Sequence, residues 1–335
     1  MTTKAIVITT INSPTAGIRK IAQLCQGWSI IVVGDKKTPA DWKCAGTDFL
    51  AFASQCAMPG RFPVLCPPNH YARKNIGYLA AIRLGAKVLA ETDDDNLPYD
   101  SFLGTVDRRV PARLIEKKGW ENVYRHFTDA RIWPRGLPLQ EINSSFRDKS
   151  VLGPEGVYDC PVQQFLADGD PDVDAVYRLT TEGDIKFKPG DIVMGTETYC
   201  PFNSQNTIWW PEVYPLLYLP SHVSFRMTDI WRSFVAQICL YKARMKLAFR
   251  SATVVQVRNE HNLLRDFSDE VPGYLHNDKI MNLLGRLELS PDRVNIGKNL
   301  LKCYEELVRG RFVPEVELPL VSAWLDDLSE IARAR

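Results

Sequence analysis

The chain has 335 residues, of which 45% are apolar and 24% are charged, so it is long enough and apolar enough to bury a large globular core. One large domain with an appendage, or two domains, is the expectation for this length. The formal net charge of +1 lacks the basic excess that is typical of nucleic-acid-binding proteins, and we expect no nucleic-acid partner.

Strand-like and helix-like segments alternate near the start of the chain. Residues 4–11 and 28–35 are short, apolar and rich in β-branched side chains, which predicts two buried strands. Between them, Ser13 as a cap and Pro14 in the first turn predict the start of a helix. A short third strand is predicted at residues 47–52.

The next segments lead to an acidic strand end. Residues 72–84 have helical periodicity, and Gly85 is a helix stop. Residues 86–95, "AKVLAETDDD", form a predicted strand that ends in three aspartates. Because strands alternate with helices, we predict an α/β fold with a mostly parallel sheet wound with helices.

The second half of the chain is less regular. Residues 107–188 are rich in Pro, Gly and Asp, which predicts loops and short strands. Residues 228–249 predict a long helix, and the tail from about residue 278 is helical in pattern. We therefore predict an α/β domain over residues 1–275 and a C-terminal helical extension over residues 276–335.

Several further features bear on location and assembly. The sequence has no long apolar run and no signal-like start, so we expect no membrane span and a cytoplasmic location. The eight cysteines form no C-x-x-C pair, which favours free thiols over a zinc site. The apolar positions of the tail permit packing on the main domain or a homodimer.

Asp35 and the run Asp93–Asp95 each follow a predicted buried strand. Ligands of parallel α/β sheets collect at the carboxyl ends of the strands, so these acids are expected at one edge. Because side chains alternate along a strand, Asp93 and Asp95 present two carboxylates to one hard cation, Mg²⁺ or Mn²⁺. Such a cation stabilises the diphosphate that leaves a sugar nucleotide. A solvated acidic turn is the alternative, although adjacent carboxylates are costly without a cation or a basic partner.

Six motifs resemble the STELLO family of glycosyltransferase-like proteins, in the same order from about residue 5 to residue 277. They are "VITTINSPT", "VVGDKKTP", "HYARKNIGYLAAIRLGAKVLAETDDDN", "FNSQNT", "FRMTDIWRSFVAQ" and "RNEHNLLRDFSDEVPGYLHN". A more remote likeness is to the reversibly glycosylated polypeptides, which include UDP-arabinopyranose mutases. The resemblance implies a GT-A-type nucleotide-diphospho-sugar transferase fold over residues 1–275. It also implies a nucleoside-diphosphate sugar as donor, with UDP preferred by analogy, and a glycan or other hydroxyl acceptor.

The resemblance assigns donor-binding residues to three motifs. They are Thr9, Thr10 and Asn12 near the nucleoside, Asp35 at the nucleobase, and Arg73, Lys74 and Asn75 at the phosphates or the sugar. Basic side chains at a helix start suit phosphate oxygens. A turn residue is the alternative for the acid, and a solvated basic turn is the alternative for the basic pair.

Further roles follow from the downstream motifs. His261 is the candidate third metal ligand beside Asp93 and Asp95, although a lone His is more often structural. Asp95 is favoured as the direct ligand, whereas Asp93 is expected to act through water or the ribose. Asp94 points away or reaches the ribose. Sugar hydroxyls are assigned to the polar motif before two tryptophans, that is to Asn203, Gln205 and Asn206.

Asp229 lies at the start of the predicted long helix, between Arg226 and Arg232. The helix dipole alone favours an acid there. The resemblance to inverting GT-A enzymes makes Asp229 the candidate general base toward the acceptor hydroxyl, with Arg226 or Arg232 positioning it or contacting a phosphate.

The leading hypothesis is therefore a metal-dependent glycosyltransferase. A sugar-nucleotide mutase or self-glycosylating protein is the second hypothesis, and a non-catalytic nucleotide-sugar-binding assembly factor is the third. The sequence does not specify the donor sugar, the acceptor or the stereochemical outcome.

Overall fold

A computed structural model of the protein describes residues 3–148, 150–257 and 262–334. Within these ranges the strands are β1 (Lys4–Thr9), β2 (Ser29–Val33), β3 (Asp48–Leu50), β4 (Val88–Asp93), β5 (Asn96–Pro98), β6 (Arg109–Ile115), β7 (Gly119–Trp120), β8 (Leu152–Asp159), β9 (Val162–Gly169), β10 (Asp191–Met194), β11 (Thr198–Tyr199), β12 (Asn206–Trp209) and β13 (Leu247–Gln256). The α-helices are α1 (Ala16–Leu24), α2 (Phe52–Cys56), α3 (Phe62–Leu65), α4 (Lys74–Arg83), α5 (Leu139–Arg147), α6 (Ala175–Thr180), α7 (Thr228–Lys242), α8 (Leu263–Gly285), α9 (Ile296–Arg309) and α10 (Leu318–Arg333).

The central sheet orders its strands β3-β2-β1-β4-β12-β9-β13-β10-β6-β8, and β5 pairs with β13 beside this path. The strands from β3 to β4 are parallel, and β12 lies antiparallel between β4 and β9. β9 and β13 are parallel to each other, and strands of one direction predominate in the described part of the sheet. The predicted α/β fold class, with a mostly parallel sheet and C-terminal helices, is confirmed.

Helix α4 packs closely on strands β1 and β2 because Gly77 has no side chain. A Cβ atom at Gly77 would lie 2.5 Å from a methyl group of Val7 and 2.6 Å from one of Val33. The helix therefore begins directly above the carboxyl ends of β1 and β2. This contact brings the basic residues at its start, Arg73 and Lys74, to the edge where the strand-end acids lie.

Two predicted boundaries differ from the structure. Thr15, not Ser13, caps α1, because its hydroxyl accepts a hydrogen bond from the amide of Ile18 at 3.2 Å and donates to the carbonyl of Asp94 at 2.5 Å. The predicted helix over residues 228–249 ends at Lys242, and its last three residues belong to β13. The sequence is rich in apolar residues both in α7 and at the start of β13, so the periodicity did not show where the helix ends and the strand begins.

The C-terminal helices pack on the α/β layer. Trp324 of α10 is fully buried against Phe62 and Tyr218, and the carboxylate of Asp327 accepts the amide hydrogens of Arg61 and Phe62 at 2.8 and 2.9 Å. The predicted boundary between residues 275 and 276 falls inside the continuous helix α8. Within the described residues, no helix combines the length and the apolar character that crossing a membrane requires.

Candidate functional site

A cleft of about 410 Å³ opens at the carboxyl ends of β1, β2 and β4. Most of the residues predicted from the sequence to bind a donor lie in its wall. The predicted residues that line it are Thr9, Thr10, Asn12, Asp35, Arg73, Asp93, Asp94, Asp95, Arg226 and Asp229. The cleft therefore joins the strand-end acids to the start of α7, which lies more than a hundred residues later in the sequence.

Asp93 is held by a buried basic residue. The ammonium group of Lys74 is fully buried and donates to Asp93 Oδ1 at 2.9 Å, to the Tyr71 hydroxyl at 2.8 Å and to the Ser204 carbonyl at 3.0 Å. All three of its N–H groups are thus used within the protein. Lys74 therefore balances the charge of Asp93 inside the protein. This corrects the expectation that Lys74 contacts the phosphates or the sugar of the donor.

Asp94 ties the triplet to the loop after β1. Its Oδ2 accepts hydrogen bonds from the Thr10 hydroxyl at 2.5 Å and from Asn12 Nδ2 at 3.1 Å. Burial raises the pKa of Asp94, whereas these two hydrogen bonds act in the opposite direction. Asp94 therefore fixes the shape of the cleft wall.

Asp95 contacts the end of β13. Its Oδ2 accepts a hydrogen bond from Gln256 Nε2 at 3.1 Å, at the end of β13. The carboxylates of Asp93 and Asp95 both line the cleft and fit a hard divalent cation, since Mg²⁺ and Mn²⁺ are commonly held by one or two carboxylates together with substrate phosphates.

A complete protein cage for a metal ion is absent from the described ranges, where no group of three or more His, Cys, Asp or Glu side chains is arranged to hold one. The predicted third ligand, His261, lies outside the described residues.

Asp35 and Arg73 form another part of the wall. Asp35 accepts the amide hydrogens of Lys36 at 2.7 Å and His70 at 3.1 Å, which fixes its carboxylate after β2. The guanidinium of Arg73 donates to Gln55 Oε1 at 2.8 Å and to the carbonyl of Cys66 at 2.9 Å. Both side chains are thus pre-organised at the cleft.

Asp229, at the start of α7, lines the same cleft as the triplet. Arg135 NH2 donates to both of its carboxylate oxygens at 3.1 Å, and the backbone amide of Ser204 approaches Oδ2 at 3.3 Å. Arg226 lines the cleft but pairs with Glu270, with Nε 2.9 Å from Oε1. The basic partner of Asp229 is therefore Arg135, which corrects the expectation that Arg226 positions it. A phosphate contact for Arg226 stays a prediction.

Arg135 is almost fully buried. Burial lowers its pKa, but the carboxylates of Asp172 and Asp229 outweigh burial and hold the pKa well above the ordinary value.

Two residues predicted at the site lie outside the cleft wall. Arg232 is 1% exposed and its NH1 donates to Glu91 at 2.9 Å, so it cannot position Asp229 directly. Asn75 is fully buried and exchanges two hydrogen bonds with the backbone of Leu219, at 2.8 and 2.9 Å. Both expectations are corrected, because these polar groups are already paired inside the protein.

The three residues assigned to sugar hydroxyls are also buried and paired. Asn203 donates to Asp172 at 2.8 Å, and Asn206 donates to the Thr253 hydroxyl at 2.9 Å. Gln205 donates to Gln256, the residue that contacts Asp95. These amides are structural in this conformation. Gln205 contacts the site through Gln256, and Asn203 contacts it through Asp172.

Several cleft residues were missed by the sequence analysis. Tyr71 donates from its hydroxyl to Asp93 at 2.7 Å, and Phe225 lines the cleft while remaining 56% exposed. Gln256 lies in the strand-like segment 253–260 but has no signal of its own there, and Arg135 lies in the irregular region 107–188. Tyr71 was the one with a signal, because it lies two residues before the basic pair in the "HYARKN" motif.

The protein is thus an α/β protein whose cleft contains both the acids at the strand ends and Asp229 at the start of α7. Residues 226–334 match the family model of the STELLO glycosyltransferases. "Probable glycosyltransferase STELLO2" of Arabidopsis thaliana is 27% identical over 355 residues, which cover 98% of this chain and 45% of that protein. "Probable glycosyltransferase STELLO1" of the same plant is 26% identical over 355 residues, with 98% and 44% covered. The resemblance to the STELLO family is thus confirmed, and the chain spans less than half the length of these relatives.

A solved structure titled "Crystal Structure of a Mycobacterial Protein" aligns with a TM-score of 0.40 and 11% identity, covering 94% of this chain and 76% of that chain.

Proposed function

We propose that the protein is a metal-dependent glycosyltransferase that moves a sugar from a nucleoside-diphosphate sugar, with UDP as the preferred nucleotide, to a hydroxyl acceptor. The observation that carries the proposal is the single cleft that brings Asp35, Asp93 and Asp95 together with Asp229. The names of the relatives, each a probable glycosyltransferase, support the same chemistry.

The residues divide into donor and acceptor sides. Asp35 accepts a hydrogen bond from the nucleobase, and Thr10 and Asn12 shape the loop beside the nucleoside through Asp94. Asp93 and Asp95 hold Mn²⁺ or Mg²⁺. When bound, the cation neutralises the diphosphate that leaves the anomeric carbon.

Asp229 serves the acceptor side as general base. A carboxylate that removes the hydroxyl proton in the transition state makes the acceptor oxygen a better nucleophile. Asp229 lines the same cleft as Asp93, and the hydroxyls of Tyr71 and Ser204 connect the two carboxylates.

Incubation with a panel of UDP-sugars, Mn²⁺ and simple glycoside acceptors tests the proposal. We expect UDP release together with sugar on the added acceptor. The Asp93→Asn/Asp95→Asn double variant should lose this turnover, because it removes both carboxylate charges from the cation site. Asp100→Asn is the matched control, since the side chain of Asp100 is 91% exposed.

Other products would point to a different function. Isomerised donor or label on the protein itself would favour a mutase or a self-glycosylating protein. Binding of the UDP-sugar without any turnover would contradict the transferase assignment.

A further inference from the structure

Arg135 joins two carboxylates at the wall of the cleft. Its Nε and NH2 donate in a fork to the two oxygens of Asp172 at 2.7 and 2.9 Å, and its backbone amide donates to the carbonyl of Asp172 at 3.0 Å. The same NH2 donates to both oxygens of Asp229. Asp172 thus anchors the guanidinium, and the guanidinium holds Asp229.

Arg135 has little capacity left for a substrate. Its third nitrogen, NH1, donates to the carbonyl of Arg226, so each nitrogen of the side chain already has a partner. The residue is only 6% exposed. Arg135 therefore acts on the chemistry through Asp229 and not by binding phosphate.

The two oxygens of Asp229 have different surroundings. Among the described residues, Oδ2 accepts from Arg135 and is approached by the Ser204 amide at 3.3 Å and the Ser204 hydroxyl at 3.4 Å, whereas Oδ1 accepts from Arg135 alone. A carboxylate oxygen has two lone pairs, so Oδ1 retains accepting capacity for one more hydrogen bond.

We propose that Arg135, anchored by Asp172, is a positioning residue that orients Asp229 so that Oδ1 receives the proton of the acceptor hydroxyl. This inference rests on the proposed function. In the step, the acceptor oxygen forms a bond to the anomeric carbon and its proton moves to Oδ1. The bond from the anomeric carbon to the diphosphate breaks, and its electron pair leaves with the diphosphate.

The test compares Arg135→Lys and Asp172→Asn in the transfer assay with UDP-sugar and glycoside acceptor. Lysine keeps the positive charge but lacks the planar guanidinium that donates to both Asp172 and Asp229. We expect kcat to fall about 10²-fold in Arg135→Lys, since small misplacements of a catalytic group have effects of this size. The dissociation constant for UDP and the KM for the acceptor should stay within about twofold. Arg131→Lys, an exposed arginine in the same segment, is the matched control.

A positioning role predicts strong coupling to the base. In the Asp229→Asn background, Arg135→Lys should cause no further loss of kcat, because there is no base left to orient. A purely structural role would instead give independent losses in the two variants. Asp172→Asn provides the same comparison if Arg135→Lys does not fold.

The outcomes separate this inference from the proposed function. If the wild-type protein transfers sugar and Asp229→Asn does not, an unchanged kcat in either folded variant overturns the positioning role. If the wild-type protein transfers no sugar, the proposed function fails and the inference fails with it.

Discussion

Asp229→Asn should lower kcat for sugar transfer by about 10²–10⁴-fold, the usual contribution of a general base. The change is nearly isosteric, so the hydrogen bond from Arg135 NH2 to one side-chain oxygen is retained. What is lost is the carboxylate that accepts the acceptor proton. Initial rates of UDP release with a saturating acceptor measure this effect.

The affinity for UDP should not change in Asp229→Asn, because the proposal assigns the nucleotide to Asp35 and the acid triplet and assigns Asp229 to the acceptor. A loss confined to kcat indicates an interaction made only in the transition state. Transfer at the wild-type rate would eliminate Asp229 as the base.

Arg232→Met should lower the free energy of unfolding by about 3–5 kcal/mol, the usual cost of removing one partner from a buried ion pair. Arg232 and Glu91 are each 1% exposed and lie 2.9 Å apart. Burial lowers the pKa of Arg232, but Glu91 more than compensates and the pKa is raised. Without the guanidinium, Glu91 would be a buried charge with only neutral donors, the Trp209 indole and the Tyr78 hydroxyl.

The double variant Arg232→Met/Glu91→Gln should recover part of this loss. Glutamine is neutral and can still accept the Trp209 hydrogen bond, so no unpaired charge remains. Urea unfolding gives the free energies, and the double-mutant cycle gives the coupling. Arg309→Met is the matched control, because the Arg309 side chain is 75% exposed and its pair with Glu306 should contribute less than about 1 kcal/mol. An equal, small loss in Arg232→Met and in the control would contradict this account.

The buried pair also links β4 to α7. Glu91 lies on β4 two residues before Asp93, and Arg232 lies on α7 three residues after Asp229. The ion pair therefore fixes the helix that carries the candidate base relative to the strand that ends in the candidate metal ligands. Arg232, which the sequence predicted at the site itself, therefore supports the site through Glu91 and does not line the cleft.

The sequence predicts the parts of the site that follow regular elements. Asp35 and the acid triplet follow buried strands whose apolar runs are recognisable, and a parallel arrangement brings such ends to one edge. Their positions in the cleft agree with that reasoning. Their binding roles stay predictions.

Residue type alone did not distinguish cleft residues from buried ones. Asn203, Gln205 and Asn206 have side chains suited to sugars, but Asn206 begins the interior strand β12 and the other two come just before it. All three are buried among other polar groups. Arg135 gave the opposite error, because it lies in an irregular segment and meets Asp229 only in the folded chain. In both cases, hydrogen bonds between segments far apart in the sequence decide whether a side chain is available in the cleft. Local periodicity carries no information about such contacts.

Calorimetric titration of UDP into the protein, with Mn²⁺ or with a chelator, tests the central claim most directly. We expect UDP to bind in the presence of Mn²⁺, and to bind at least about tenfold more weakly with the chelator or in Asp95→Ala, a loss of about 1.4 kcal/mol or more. Asp100→Ala should bind as the wild type does, because its side chain is exposed. Tight binding of UDP that needs no metal and survives Asp95→Ala would contradict the assignment of the acid triplet as the metal and diphosphate site.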